Sequence, residues 1–459
     1  MRSKTKLAGF SAGFALAAIL LSPAAFAESL EEALVSAYQN NPTLLAERAS
    51  LRATDEGVAS ALSGWRPTVK IDGDAGFSET ETTSVTGGIT STDEASLQPR
   101  SFSLSITEPL YRGGRTEAET RSAKNLVDAG RAGLAETEQR VLLDAVTAYM
   151  DVLRNQSVVE FNRNNERVVE RQHQAAKDRF EVGEVTRTDV AQAQARVAQA
   201  RADRIGAEGN LISSRATYRQ FIGDLPGRLE WPARLGSVPA NERDALQAAS
   251  TANPTIISAD FAESAARDDI DVAVSDLLPQ LSLRAAYDRQ FDVSSFTEEL
   301  DSMSITAIVT VPLYQSGAEH SAVRRSKQIA SQRRLEFEEA RRAIFEEVTR
   351  AWEALITARA QIVAFESQVR AAELALEGVE QETLVGLRTT LDVLDAEQEV
   401  FAAQVNLVSA ERDAVVSSYW VKATIGELTA EALGLPVERY DAEAHYRNVS
   451  EKWFGLSSE

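Results

Sequence analysis

Cysteine is absent from this 459-residue chain, and histidine occurs only three times. Without cysteine there can be no disulfide framework, thiolate metal site, catalytic thiol or lipidated N-terminal cysteine. His173, His320 and His445 lie far apart and fit no metal-binding or triad spacing. Composition therefore names no catalytic residue, metal or cofactor, and the chain does not read as an enzyme. Excess positive charge is missing too: 48 Lys and Arg stand against 69 Asp and Glu, a formal net charge of −21. Such a surface repels nucleic acid and anionic headgroups, which excludes both as partners. Long apolar runs are absent beyond the first 21 residues, so any membrane crossing by the remainder must be as a β-barrel.

What is present begins with a leader. Arg2, Lys4 and Lys6 precede an apolar run from Leu7 to Leu21, a breaker at Pro23 and the small-residue site Ala25-Phe26-Ala27. That run is shorter than the roughly 20 apolar residues of a spanning helix, so residues 1–27 read as a secretory signal cleaved before Glu28. Loss of its three basic residues would take the net charge to about −24.

The rest is one unit written twice. Glu32-Ala33-Leu34 and Asn41-Pro42-Thr43-Leu44 return as Asp244-Ala245-Leu246 and Asn253-Pro254-Thr255-Ile256, shifted by 212 positions. Pro109-Leu110-Tyr111 returns as Pro312-Leu313-Tyr314, shifted by 203; the same shift relates Tyr149 to Trp352, Gly183 to Gly386 and Asp189 to Asp392. The first copy thus holds about nine extra residues, assigned to the Thr/Ser/Gly-rich stretch from Glu79 to Ser96, which reads as a surface loop.

Each copy opens with a helical stretch, roughly 30–62 and 243–277, interrupted early by Asn-Pro. Two alternating segments follow, about 67–79 and 100–111 in the first copy and about 279–291 and 301–313 in the second. Val69, Ile71, Phe102, Leu104, Ile106, Leu281, Leu283, Tyr287, Met303, Ile305 and Val309 alternate there with polar or small residues, the period of a half-buried strand. Ten such residues can cross a bilayer when tilted, although an ordinary hairpin on a soluble core has the same pattern.

The long helices tip that balance. Residues 115–180 and 318–384 contain no proline, and Leu134, Val141, Ala145, Val152 and Val159 recur as in a coiled-coil seam. About 66 residues at 1.5 Å each make a rod near 100 Å long, too long to fold around one compact core. Each rod ends at glycine, Gly183 or Gly386, and turns back through Thr and Asp into a second helix ending near 222 or 425. The resulting division is a first repeat 28–223 with its hairpin at about 115–222, a linker 224–240, a second repeat 241–426 with its hairpin at about 318–425, and a tail 427–459. In the tail, the part around Leu435-Pro436-Val437 is expected to pack on the middle of the helices, and the last dozen residues are candidates for disorder.

Four strands cannot close a membrane barrel, whose smallest bacterial form has eight, so spanning strands would require several chains to share one. At this point the residues resemble a known family. The twice-written order of helix, strand pair and hairpin, the strand exit Glu108-Pro109-Leu110-Tyr111-Arg112-Gly113-Gly114 and the tip Val385-Gly386-Leu387-Arg388-Thr389-Thr390-Leu391-Asp392-Val393-Leu394-Asp395 are similar to the TolC family of outer-membrane efflux proteins. The resemblance covers nearly the whole mature chain to about Gly426.

It implies an α+β, mostly helical fold: a homotrimer with a twelve-stranded outer-membrane β-barrel continued by a twelve-helix periplasmic α-barrel. It also implies a periplasmic adaptor protein, an inner-membrane transporter of RND, ABC or MFS type, and export of drugs, type I secreted proteins or both. Asp392 and Asp395, three apart on one helix face, would form stacked carboxylate rings at the constriction and favour cations. Capping of helices is the alternative role for these aspartates, and for Asp189 the favoured one. In the first copy Gln192 replaces the counterpart of Asp395. Arg388 would link to Thr188 or a neighbouring carboxylate as a tip latch with Asp189, although Thr383 stands where the family often has a tyrosine. A periplasmic coiled-coil adaptor or scaffold is the competing reading; it has no use for two equivalent strand pairs.

Overall fold

The computed structural model describes residues 28–232, 238–294 and 296–457. The expected leader, 1–27, lies outside the described residues. Helices α1 (Leu30–Asn40) and α2 (Pro42–Leu62) are separated at Asn41, whose side chain accepts from the Thr43 N–H while Pro42 opens the next helix. The second copy repeats this device with α5 (Glu242–Ala252), Asn253 and α6 (Pro254–Ser275). Between these pairs run the first rod, α3 (Arg115–Glu181), and its return helix α4 (Arg187–Ile222). The second rod is α7 (Ala318–Leu384), returning as α8 (Thr390–Thr424). Both rods are 67 residues long, about 100 Å.

The seam read from the sequence is buried throughout: Leu134, Val141, Ala145, Val152 and Val159 all pack inward. The first four belong to a core at the middle of the helices that takes in α1, α2, α3, the end of α4 and part of the tail. Leu428 and Ala430 are buried in it, and Leu435, Val437 and Tyr440 pack against it. Arg48 stacks on both Tyr38 and Tyr440, at 4.6 and 5.1 Å from the ring centroids. Of the last dozen residues, 448–457 are described and 458–459 lie outside the described residues. A short helix, α9 (Ala444–Val449), packs near α2, and Arg66 donates to the Lys452 carbonyl at 2.7 Å while stacking on Trp453. That tether depends on tertiary partners nearly 390 positions away, which no local pattern announces.

The strands are β1 (Thr68–Ala75), β4 (Arg100–Arg112), β5 (Gln280–Ser294) and β6 (Thr297–Thr310), one antiparallel sheet in that order. The stretch read as a surface loop is instead a second hairpin, β2 (Ser78–Thr86) with β3 (Ile89–Leu97). Gly87 and Gly88 both have positive φ, which closes a two-residue turn whose twist suits paired strands. Neither strand has an apolar face to betray it; the middle of the ladder pairs Glu81 with Glu94, Thr83 with Thr92 and Ser84 with Ser91, whose hydroxyls lie 3.0 Å apart.

Register in the main sheet aligns the two copies. Val69, Ile106, Ala285 and Ile305 form one row across all four strands, and Ile71, Leu104, Tyr287 and Met303 form the next. The opposite face carries rows such as Asp72, Ser103, Asp288 and Ser302. Much of each apolar row is uncovered: Val69 is 62% exposed, Ile71 64% and Ile305 69%. A sheet with an uncovered apolar face and a polar one is what lipid on one side and water on the other require.

Candidate functional site at the tip of the helical hairpins

Each rod ends in a left-handed glycine, Gly183 or Gly386, both at φ 79°. A side chain there would be strained, and this conformation lets the next amides turn back: Glu184 N–H donates to Arg179 O and Leu387 N–H to Glu382 O, each at 2.9 Å. Three residues beyond each glycine a capping box starts the return helix. The Thr186 N–H and hydroxyl donate to Asp189 Oδ2 at 2.8 and 2.9 Å, and Asp189 N–H donates back to the Thr186 hydroxyl. Thr389 and Asp392 repeat the arrangement, both donations being 2.8 Å.

Asp189 is therefore a cap, and so is Asp392, which the resemblance put at a constriction. The two roles are compatible, since the carboxylate stays at the surface. The Thr389 backbone N–H, then its hydroxyl and the Arg388 charge, hold the Asp392 carboxyl below the usual range, so it remains ionised. Asp395, one turn on, receives a 2.7 Å hydrogen bond from Arg196 Nη2 of α4. Arg388 pairs with a carboxylate rather than with Thr188: its Nε donates to Glu382 at 2.8 Å. Thr188 is exposed, and Thr383 donates to the Val379 carbonyl of its own helix.

Two residues at this site went unread in the sequence. Arg196 joins the two hairpins of one chain across 199 positions. Glu397, on α8, is buried among apolar and polar neighbours of α3, α7 and α8, although the acidic residues of these helices read by default as solvated faces. Its spacing was the available signal: three residues after buried Leu394 and four before Phe401, it occupies an inward stripe.

Of the histidines, His320 is exposed, while His445 lies largely buried with Nε2 3.6 Å from Glu56. Among the described residues no group of three or more His, Asp or Glu side chains is arranged to hold a metal ion, and no helix is long and apolar enough to cross a membrane. The arrangement is a charged helical tip of two capped turns at one end of a rod whose other end is a sheet with an apolar and a polar face.

Comparison with known proteins gives the same answer from an independent direction. A family model for outer membrane efflux proteins matches twice, at residues 33–224 and 245–427. The chain is similar to outer membrane efflux protein BepC of Brucella suis, 36% identical over 440 residues that cover 95% of this chain and 94% of that one. It is 31% identical to outer membrane protein TolC of Vibrio cholerae, covering 90% of this chain and 93% of that one. The fold is similar to that of the solved outer-membrane channel OprN, with a TM-score of 0.76, 20% identity and coverage of 86% and 89%. With the family pattern running twice through it, this chain belongs to the outer membrane efflux proteins, the TolC-type channels that reach from the outer membrane into the periplasm.

Proposed function

We propose that this channel is the exit duct of a tripartite export system, assembled from three copies of the chain. The observation that carries the proposal is the four-stranded sheet, apolar on one face, polar on the other, and unpaired at both β1 and β6. An open strand edge is not tolerated in lipid. Joining β6 of one copy to β1 of the next removes every edge, and three copies close a twelve-stranded barrel. The twelve rod and return helices then continue it as a tunnel through the periplasm. At its far end the duct takes cargo from an inner-membrane transporter of RND, ABC or MFS type through a periplasmic adaptor. The cargo is drugs and other small molecules, type I secreted proteins, or both.

The tip is the gate. Asp392 and Asp395 line the constriction as rings of three carboxylates, and Thr188, Asp189 and Arg388 belong to the contacts that keep it closed. Opening is an untwisting of α7 and α8 away from α3 and α4, made favourable by a partner that binds the open state better. Three copies should migrate as a trimer that resists SDS until heated, in the outer-membrane fraction. Recovery as a water-soluble monomer would end the proposal. Replacing Arg388 and Thr188 together should raise single-channel conductance; unchanged conductance removes them from the latch.

A further inference from the structure

Glu397 lies two residues beyond Asp395 on α8 and is only 9% exposed. Its Oε2 is buried and has no hydrogen-bond partner. The side chain lines a cavity of about 440 Å³ where the first rod meets the second hairpin, with Phe161, Arg171 and Gln172 from α3, Glu380 from α7 and Phe401 from α8. The cavity is built within one chain, so assembly with further copies can only add to its burial. Under the shift of 203 that relates Asp189 to Asp392, the first-copy counterpart of Glu397 is Gln194, a neutral residue of nearly the same shape. As with Asp395, the carboxylate is present in one copy only.

We infer that Glu397 is a proton-operated wedge between the two hairpins of each chain: protonated while α3 and α8 are closed upon it, and favouring their separation once it is ionised. An ionised carboxylate with an unpaired oxygen in this cavity lacks the solvation it would have in water, and a second carboxylate, Glu380, faces it. Burial is the largest influence and raises the carboxyl to about 7; Gln172 and the Arg171 charge oppose it, and Glu380 adds to it. Parting the helices admits water and returns the group to the usual carboxylate range.

The closed packing therefore holds an extra proton between the usual carboxylate range and about pH 7. Its added stability is fully present below that usual range and is lost as pH rises through 7. Acid closes the junction and alkali loosens it. Asp392, held low by Thr389, stays charged across this window and cannot supply the response.

The inference rests on the duct reading for its consequence but not for its measurement. Two experiments on the full-length purified protein separate them, each comparing wild type with Glu397→Gln, which leaves His173 and Arg171 in place. In planar bilayers, wild-type conductance should rise between pH 5.5 and 8, whereas E397Q should stay at the wild-type acid level. In hydrogen exchange, corrected for its intrinsic pH dependence, wild-type protection over 390–404 should fall by roughly tenfold or more across the same range. E397Q should remain protected. Exchange that behaves this way in a protein forming no channel upholds the wedge and defeats the duct. Identical pH profiles for wild type and E397Q in exchange overturn the wedge, whatever the bilayers show.

Discussion

Arg196 and Asp395 hold the tip of one chain together through a single exposed ion pair, 2.7 Å long and partly open to solvent on both sides. Pairs of this kind contribute little to stability, so Arg196→Gln should leave the thermal midpoint nearly unchanged. Its effect belongs in the channel. Removing the guanidinium frees a carboxylate at the proposed constriction, and block by multivalent cations should strengthen by at least about threefold, a modest surface electrostatic effect. Asp392→Ala with Asp395→Ala should weaken the same block, and an unaltered block in both variants would take these aspartates out of the conduction path. Asp392 also carries a cap whose sign with pH is fixed. Its carboxyl is depressed by the Thr389 N–H, so the cap's contribution is present above the ordinary carboxylate range and fades as pH falls through the lowered value. Thr389→Ala should speed exchange of the first amides of α8 roughly fivefold at neutral pH and have far less effect in strong acid. Gly183, Gly386, Asp189 and Asp392 were legible in the sequence because caps and left-handed turns are settled within four or five residues. Arg196 and Glu397 were not, because each acquires its meaning from a helix far away in the chain.

Among the elements, the two Asn-Pro breaks, the two rods and the alternating strands could all be read in advance. Each depends on a period or on a backbone constraint that no tertiary partner overrides. The β2–β3 hairpin escaped because Thr80, Thr82, Ser84 and Ser91 offer no contrast of polarity, so a strand exposed on both faces looks like a loop. It stands as a separate two-stranded sheet with few contacts to the main one. Replacing 78–97 by a short turn should therefore preserve heat-labile trimers and conductance, and loss of assembly would mean that the hairpin pairs with something in the outer membrane. The rods are joined to their return helices by polar links as well as by the seam. Arg201 and Arg204 both reach Glu166, and Arg163 and Arg204 both reach Glu208, stitching α3 to α4. Such a network at the surface fixes the lateral register of two long helices more than it adds stability.

At the scale of the whole molecule, the apolar rows of the sheet make the strongest demand. Ile305 sits in the row Val69, Ile106, Ala285 and Ile305, with 69% of its surface open in the single chain. Ile305→Arg should cost about 2–4 kcal/mol if that row lies near the bilayer midplane, and should be read as a lower yield of SDS-resistant trimers. Ser304→Arg, on the opposite face, should be tolerated and alter conductance instead. Equal losses from both substitutions would place neither face in lipid. The composition could not have located this boundary, because a net charge is a sum over the chain and carries no information on which side chains share a face of the sheet. What decided it was register, and register is a property of pairing between two copies of the repeat that lie some 200 positions apart.

The two rods have the same number of residues, 67 each, and both tips turn on the same left-handed glycine. Matched length is a constraint on how such a protein can be lengthened or shortened. Deleting seven residues from each of α3 and α4 would pull one tip back by about 10 Å and leave the other protruding, so the two ends could no longer meet in one plane. The same deletions in α7 and α8 as well would shorten the conduit evenly and keep the seam in phase. The reach of this channel can therefore be altered only by paired changes, one in each half of the gene.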